Sequence, residues 1–171
     1  MKTAALVPLE EYLATTYHPD CDYVEGEVVE RNLGELDHSD IQSEIVRFFR
    51  NHRKQWNTYA YVEQRVQISA RRFRVPDVCV VLGKPPEQIF RQPPFICIEV
   101  LSKDDSLEST QQRIDDYLTF GVRYVWVINP RNRRAWVYET DRIYEAKDGI
   151  LRTENPSFEV PLPELFAELD Q

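Results

Sequence analysis

The sequence contains little cysteine, and the cysteines it has form no recognisable chemical motif. Cys21, Cys79 and Cys97 lie far apart, and none belongs to a CxxC pair or to a zinc-binding pattern. Cys79 and Cys97 lie inside apolar runs, where a free cysteine behaves as a small hydrophobic residue. We therefore expect these two thiols to be buried and inert, and we expect no disulfide framework.

The sequence also lacks a long apolar run, an internal repeat and a low-complexity linker. No stretch is long enough to span a membrane, so no membrane association is expected. The opening residues, MKTAALVPLEEY, contain only a short apolar stretch before acidic residues, unlike a secretory signal. A chain of 171 residues, 42% hydrophobic and 29% charged, is typical of one globular domain. We therefore expect a single domain over residues 1–171, located in the cytoplasm.

Positive charge is in the minority, with 21 Lys and Arg against 29 Asp and Glu and a net charge of −8. This balance disfavours tight non-specific nucleic-acid binding, because the phosphate backbone rewards Lys and Arg. It does not exclude a nuclease, since binding depends on local patches and on any bound metal. Basic residues form three groups, which are either solvated surface or, for the second group, a means of placing phosphates near Asp77. The groups are Arg50, His52, Arg53 and Lys54; Arg71, Arg72 and Arg74; and Arg131, Arg133 and Arg134.

Hydrophobic periodicity predicts a mixed α/β domain, with a central sheet, helices on its faces and antiparallel outer strands. Helices are predicted at Leu9 to Thr16, at about Asp40 to Lys54 with Asp37 or Ser39 as cap, from a cap at Asp105 to Gly121, and in the tail VPLPELFAEL. Strands are predicted in a hairpin at Asp22 to Arg31 with Glu25-Gly26 at its turn, at Thr58 to Ser69, and in RFRVPDVCVVLG, FICIEVL, RYVWVINP, AWVYE, DRIYEA and GILRT.

One carboxylate interrupts a strand that is otherwise apolar. Six of the seven residues of FICIEVL are apolar, and the seventh is Glu99. A buried carboxylate costs several kcal/mol unless it is paired, protonated or bound to metal. In the preceding strand, Asp77 is the one charge on the face that it shares with Cys79 and Val81 by alternation. If the two strands pair, the two acids come within a few ångströms of each other.

Two adjacent carboxylates are ligands of the kind that Mg²⁺ (or Mn²⁺) prefers. Such an ion polarises a phosphoryl oxygen and lowers the pKa of a bound water. The alternative is structural: Asp77 could begin its strand in solvent after Pro76, and Glu99 could form an ion pair with an arginine such as Arg113.

The ordered set of motifs resembles the PD-(D/E)XK nuclease superfamily, and within it the bacterial restriction endonuclease-like proteins called the Uma-two family. The motifs are YVEGEVVE, His38 at the start of a helix, RVPDVCVV, IEVLS, RIDDYLTFGV and VWVINP, and together they cover most of the chain. The resemblance implies a restriction endonuclease-like fold, with a four-stranded mixed core sheet flanked by helices. It also implies hydrolysis of a DNA phosphodiester bond by a metal-activated water.

The same resemblance implies a set of site residues. Asp77 and Glu99 would bind the metal, with the carbonyl of Val100 as a further ligand. The superfamily lysine, two residues after the second acid, is replaced here by Leu101.

In the resembled family the lysine usually comes from the next helix, four residues before a tyrosine. Here that position is Arg113, four residues before Tyr117, so both lie on one helix face. Arginine stays charged and cannot act as a base, although it can stabilise a pentavalent phosphorus. Lys103 could substitute for the lysine or could be a solvated loop residue.

Four further side chains are candidates with open alternatives. His38 could contact phosphate, act as a base, support a carboxylate or cap its helix. Glu25, Glu44 and Glu63 are candidate further acids, with an exposed helical glutamate as the alternative for Glu44.

The sequence thus predicts a Mg²⁺-dependent DNA endonuclease in which Asp77 and Glu99 hold the metal, Arg113 stabilises charge and Tyr117 contacts the site. A homodimer is expected because nucleases of this fold often dimerise. Arg113 and the acidic net charge favour a second hypothesis, a non-catalytic nucleic-acid or protein-binding module of the same fold. A third hypothesis is a hydrolase of another phosphate ester.

Overall fold

The structure, a computed structural model, describes residues 5–171 and contains five α-helices and twelve strands within that range. The helices are α1 Leu9–Ala14, α2 Leu36–Asn51, α3 Arg53–Trp56, α4 Leu107–Phe120 and α5 Leu162–Phe166, the last followed by a 3₁₀ turn at Ala167–Asp170. The strands are β1 Cys21–Val24, β2 Glu27–Glu30, β3 Thr58–Val62, β4 Val66–Ser69, β5 Arg72–Arg74, β6 Val78–Leu82, β7 Ile96–Val100, β8 Tyr124–Asn129, β9 Arg134–Tyr138, β10 Ile143–Glu145, β11 Ile150–Arg152 and β12 Glu159–Pro161. None of these helices is long and apolar enough to cross a bilayer.

A six-stranded mixed sheet forms the centre, in the order β10-β9-β8-β7-β6-β3. Strands β7 and β8 run parallel, because α4 connects them, and the other neighbouring pairs are antiparallel. The mixed α/β fold class is therefore confirmed, and β3 and β10 extend the sheet to six strands at its edges. The hairpin β1-β2 joins β5 and β4 in a second sheet of order β2-β1-β5-β4, and β11 pairs with β12.

Alternation along the central strands builds a core on each face of the sheet. Val80, Ile96 and Ile98 face the cluster that includes the buried residues of α2. Cys79 and Cys97, which lie opposite each other on β6 and β7, face the cluster that includes Tyr117 of α4. Both cysteines are fully buried and free, as the sequence predicts. Glu99 follows Cys97 by two residues, so it points to the α4 side.

Two predicted strands are each divided in the structure. Thr58 to Ser69 forms β3 and β4, which lie in different sheets and are separated at Glu63, whose φ is +48°. RFRVPDVCVVLG forms β5 and β6, separated around Pro76, which has no N–H to donate to a ladder. Asp77 therefore lies just before β6 and not within a continuous strand. The register of β6 and β7, with Val78 opposite Ile98, still places Asp77 opposite Glu99 when it is continued by one residue.

The helix ends differ from the predicted caps. Helix α2 begins at Leu36 without a side-chain cap, so neither Asp37 nor Ser39 caps it. Helix α4 is capped by Ser106, whose Oγ accepts a hydrogen bond from the Ser109 N–H at 3.0 Å, and not by Asp105. It ends as predicted at Gly121, whose φ of +109° suits glycine.

A buried ion network attaches the smaller sheet to α4. Arg74 of β5 donates to Asp22 of β1 at 2.9 Å and to Asp116 of α4 at 2.7 Å. Asp22 also accepts a hydrogen bond from the Val75 N–H at 2.9 Å. The three charged side chains are at most 11% exposed. The network fixes the β1-β2 hairpin, and Arg31 directly after it, against the start of β6. Asp77 lies immediately before that start.

Candidate active site

The two acids that the sequence singles out lie side by side and are buried. Asp77 is 7% exposed and Glu99 is 1% exposed. Asp77 Oδ2 accepts a hydrogen bond from the backbone N–H of Val100 at 2.8 Å, which ties the two strands together at this point. Glu99 Oε1 accepts a hydrogen bond from the Tyr117 hydroxyl at 2.6 Å. The structural alternative, in which Asp77 begins its strand in solvent, is therefore wrong.

A third residue, Arg31, joins the two acids. One guanidinium nitrogen, Nη2, donates to Asp77 Oδ1 at 2.8 Å and to Glu99 Oε2 at 3.0 Å. The other terminal nitrogen donates to the carbonyl of Val75. Sequence reasoning missed this role of Arg31, which directly follows β2. A signal was present, because Arg31 is the one basic residue of the acidic hairpin segment DYVEGEVVER.

Arg113 and Tyr117 share one face of α4 and both contact Glu99, as their spacing predicts. Arg113 Nε lies 3.3 Å from Glu99 Oε2, and Nη2 donates to Asp105 Oδ1 at 3.3 Å. The Nε–H is buried and has no aligned acceptor among the described residues. Burial favours the neutral form of Arg113, but the Glu99 carboxylate raises its pKa above the ordinary value. Arg113 is thus a fixed positive charge beside the second acid.

The environment drives the pKa values of the two acids apart. Burial raises the pKa of Glu99, and the positive charges of Arg31 and Arg113 only partly oppose this. Burial acts in the same direction on Asp77, but Arg31 and His38 outweigh it and lower the pKa of Asp77 below its usual value. Asp77 is therefore the more strongly ionised of the two.

His38 lies in the first turn of α2 and supports Asp77. Its Nε2 lies 3.4 Å from Asp77 Oδ2. Burial favours the neutral imidazole, but the contact with Asp77 raises the pKa of His38 overall. A Cβ at Gly34 would lie 2.7 Å from His38 Nδ1, so glycine is needed there for this ring position. The contact with Asp77 favours support of a carboxylate as the role of His38. A capping role is excluded, because α2 has no side-chain cap.

A cleft of about 340 Å³ opens beside the acids. Asp77 and Arg31 lie in its wall, whereas Glu99 lies behind them. Its other polar lining residues are Tyr17, His18, Asp20, Asn32, His38, Ser39, Gln42 and Glu63. Three roomier depressions lie elsewhere on the surface of the described residues and contain neither acid. The cleft therefore reaches Asp77 and Arg31 directly but does not reach Glu99.

Several predicted candidates lie away from this centre. Glu25 is exposed at the hairpin turn. Glu44 is buried, contrary to the exposed reading, and accepts from Arg47 Nε at 2.8 Å. Lys103 is exposed and forms an ion pair with Glu35. Glu63 lines the cleft and its backbone N–H donates to the carbonyl of Asp77 at 3.2 Å, whereas its side chain has no described hydrogen bond to the carboxylate of Asp77 or Glu99.

The basic group that leads into Asp77 does not form a phosphate patch. Arg74 is buried and committed to Asp22 and Asp116, and Arg72 also donates to Asp116 at 2.7 Å. Arg71 alone of this group is exposed. In the third group, Arg133 and Arg134 form surface ion pairs with Asp170 and Glu145.

The donor set suits a hard divalent cation. Asp77 Oδ1 and Glu99 Oε2 converge on one cationic nitrogen of Arg31, so the fold already directs two carboxylate oxygens at a single positive centre. Such oxygens are the ligands that Mg²⁺ and Mn²⁺ take, with water filling the rest of the shell. Residues 5–171 contain no cluster of three or more His, Cys, Asp or Glu side chains that could hold a metal. Any further ligands would come from the backbone, such as the Val100 carbonyl, or from solvent.

The fold is that of a nuclease. A crystal structure described as "a putative nuclease belonging to DUF820 from Anabaena variabilis ATCC 29413" matches with a TM-score of 0.82 and 25% sequence identity, over 95% of this chain and 99% of that one. The model of the Uma2 (Uma-two) family, described as "Putative restriction endonuclease", matches residues 9–170. The chain belongs to the Uma2 family, which confirms the resemblance carried by its motifs. No curated protein matches it.

Proposed function

We propose that this protein is a metal-dependent endonuclease that hydrolyses DNA phosphodiester bonds, with its centre at Asp77 and Glu99. The observation that carries the proposal is the convergence of Asp77 Oδ1 and Glu99 Oε2 on one cationic atom, 2.8 and 3.0 Å away. Membership of a family described as restriction endonucleases supplies the reaction class. A cytoplasmic location, where bacterial DNA is found, belongs to the same proposal.

Asp77 and Glu99 would hold Mg²⁺ or Mn²⁺, with the Val100 carbonyl as a further ligand. When bound, the ion lowers the pKa of a water and polarises a phosphoryl oxygen. The protein contributes the positions of the two carboxylates. The Val100 N–H holds Asp77 and the Tyr117 hydroxyl holds Glu99, and each bond uses the oxygen that does not face the convergence point.

The positive side chains around the acids have separate roles in this proposal. Arg113 keeps its charge at all working pH values, so it stabilises negative charge on the phosphate and cannot take a proton from water. His38 lies in the cleft wall and holds Asp77 on the side away from Arg31. Among residues 5–171, no lysine forms an ion pair with Asp77 or Glu99, so proton removal would fall to solvent or to a phosphate oxygen.

A second candidate function, a non-catalytic nucleic-acid or protein-binding module, is favoured by a specific observation. Arg31 and Arg113 already place two positive charges against the two carboxylates. The charges of the two acids are thus balanced without a metal ion, as they would be in a purely structural ion network. The two functions differ in whether the carboxylates are needed for a reaction.

The test is cleavage of supercoiled plasmid with Mg²⁺ or Mn²⁺ by the unaltered protein, Asp77→Ala and Arg113→Lys. Glu108→Ala, which removes an exposed acid of α4, is the matched control. We expect cleavage by the unaltered protein and by Glu108→Ala, and loss of cleavage in Asp77→Ala. If the unaltered protein is silent while Arg113→Lys cleaves, the binding-module function is correct for the natural chain. Cleavage that persists in Asp77→Ala would contradict the proposed centre.

The proposal extends to a homodimer, in which each protomer would address one DNA strand. Light scattering coupled to size-exclusion chromatography would give the mass directly. A mass of one chain, 20.3 kDa, in the presence and absence of DNA would contradict the dimer.

A further inference from the structure

Arg31 lies where a divalent cation would have to lie. Within residues 5–171, its Nη2 is the one donor atom that contacts both Asp77 Oδ1 and Glu99 Oε2. The side chain is 12% exposed and is held at its other terminal nitrogen by the carbonyl of Val75. A guanidinium and a metal ion cannot share this point.

The remaining oxygen of each carboxylate is already engaged by the protein. Asp77 Oδ2 is taken by the backbone N–H of Val100, and Glu99 Oε1 is taken by the Tyr117 hydroxyl. Both donors belong to buried parts of the central sheet and α4, where they have little freedom to move. Arg31, in contrast, follows the end of β2 and forms part of the cleft wall, so its side chain can turn toward open space. The least costly route to an ion-bound centre is displacement of the Arg31 side chain.

The displaced guanidinium has a destination with suitable chemistry. The cleft beside it is lined by Asn32, His38 and Gln42, and also by Asp20 and Glu63, whose acidic side chains attract a guanidinium. A planar guanidinium with several donors in such a cleft is suited to a phosphate diester, which accepts two parallel hydrogen bonds. The same residue can therefore neutralise the acids at rest and contact the substrate backbone afterwards.

We propose that Arg31 is an internal counter-ion that competes with the divalent cation for Asp77 and Glu99, and that ion binding turns it into the cleft to contact the substrate phosphate. The proposal rests on the function proposed above. It assigns Arg31 a positioning role and makes metal affinity, and not only catalysis, depend on this residue. Two carboxylates left without any cation would repel each other, which explains why the metal-free protein needs a resident positive charge.

The test measures Mn²⁺ affinity from the electron paramagnetic resonance signal of free Mn²⁺, without any activity assay. The variants are Arg31→Gln, Arg113→Gln, which removes a charge beside Glu99 but not beside Asp77, and Arg91→Gln, which removes an exposed charge elsewhere. We expect Arg31→Gln to lower the Kd for Mn²⁺ by about tenfold or more, within the usual range of coupling between two ligands. Arg113→Gln should change it less, and Arg91→Gln should leave it unchanged.

A second arm replaces the missing side chain with a small molecule. Guanidinium ion at low millimolar concentration should raise the apparent Kd for Mn²⁺ of Arg31→Ala, because it can return to the vacated point. It should not do so in the unaltered protein, where Arg31 already occupies that point.

If both Arg31 variants fail to fold, the side-chain Nε–H resonance of Arg31 in the unaltered protein provides the test by nuclear magnetic resonance. It should shift during a Mg²⁺ titration.

The outcomes separate this inference from the function on which it rests. A Kd for Arg31→Gln within twofold of the unaltered protein, or weaker binding in Arg31→Gln, would overturn the role of Arg31 while leaving the metal centre intact. An Arg31 resonance that stays fixed while Mg²⁺ binds would do the same. Absence of Mn²⁺ binding in the unaltered protein and in every variant would overturn both proposals.

Discussion

The hydrogen bond between Tyr117 and Glu99 offers the cleanest single-atom test of the site. Tyr117 is fully buried, and its hydroxyl donates to Glu99 Oε1 at 2.6 Å. Burial, reinforced by the Glu99 carboxylate, raises the pKa of Tyr117 well above its ordinary value, so the phenol keeps the proton that it donates. Tyr117→Phe removes one oxygen atom and leaves the ring to fill the same space.

The expected cost follows from the acceptor. A hydrogen bond to a charged group contributes about 1.5 to 3 kcal/mol, and the buried Oε1 atom has no water to replace the lost donor. We therefore expect Tyr117→Phe to lower the free energy of unfolding by about 2 kcal/mol. For a domain of this size the corresponding fall in Tm is about 4 to 8 °C.

Urea unfolding and differential scanning calorimetry measure this loss. Tyr138→Phe is the matched control, because Tyr138 is half-buried on β9 and its hydroxyl makes no hydrogen bond within residues 5–171. We expect no resolvable change in the control. If the Tm of Tyr117→Phe lies within about 1 °C of that of the unaltered protein, the hydrogen bond from Tyr117 to the charged acceptor Glu99 contributes little to stability.

Three further predictions concern the frame around the site. Arg74→Met should lower the free energy of unfolding by about 3 to 5 kcal/mol in urea, because it leaves the buried Asp22 without its main partner. The pKa of Asp105 is lowered, since its hydrogen bond from Ser102 and the charge of Arg113 outweigh burial. Its stabilising effect is thus present above its unfolded pKa and lost as pH falls through the lower folded value, so Asp105→Asn should flatten urea midpoints measured from about pH 5 down to pH 2. The thiols of Cys79 and Cys97 should resist a disulfide reagent in the native protein and react in urea, because both are fully buried and burial raises their pKa.

Each of these predictions has a contradicting result. A loss for Arg74→Met no larger than that of Arg91→Met, an exposed arginine in a surface ion pair, would mean that the buried network contributes little. If the urea midpoint of Asp105→Asn falls with pH as steeply as that of the unaltered protein, Asp105 is excluded as a source of acid sensitivity. Rapid reaction of either central-sheet thiol without denaturant would show that the sheet opens locally.

The pair of acids was predictable from the sequence because its signals are local. Glu99 stands alone in an apolar strand, and Asp77 stands alone on its face, so burial and strand alternation already bring them together. Strand alternation correctly predicted that Asp77 lies beside Glu99, but the predicted strand is not continuous, since Pro76 divides β5 from β6. The register of β6 and β7 nevertheless preserved the pairing.

Arg31 was not predictable in the same way, because its position depends on how two sheets pack. It lies 46 residues from Asp77 and 68 from Glu99 in sequence. No periodicity within the hairpin indicates which central strand the hairpin end will meet. The buried ion pairs of Arg74 with Asp22 and Asp116 likewise depend on tertiary packing. The sequence alone therefore could not distinguish this basic run from a phosphate-binding patch. Charge partners across sheets are the part of this site that only the folded arrangement reveals.

Anomalous scattering from a crystal soaked with saturating Mn²⁺ tests the central claim most directly. We expect one strong peak bonded to Asp77 and Glu99, with the Arg31 side chain turned away into the cleft. A map with no peak between these two carboxylates, and with Arg31 still in contact with both, would contradict the proposed metal centre.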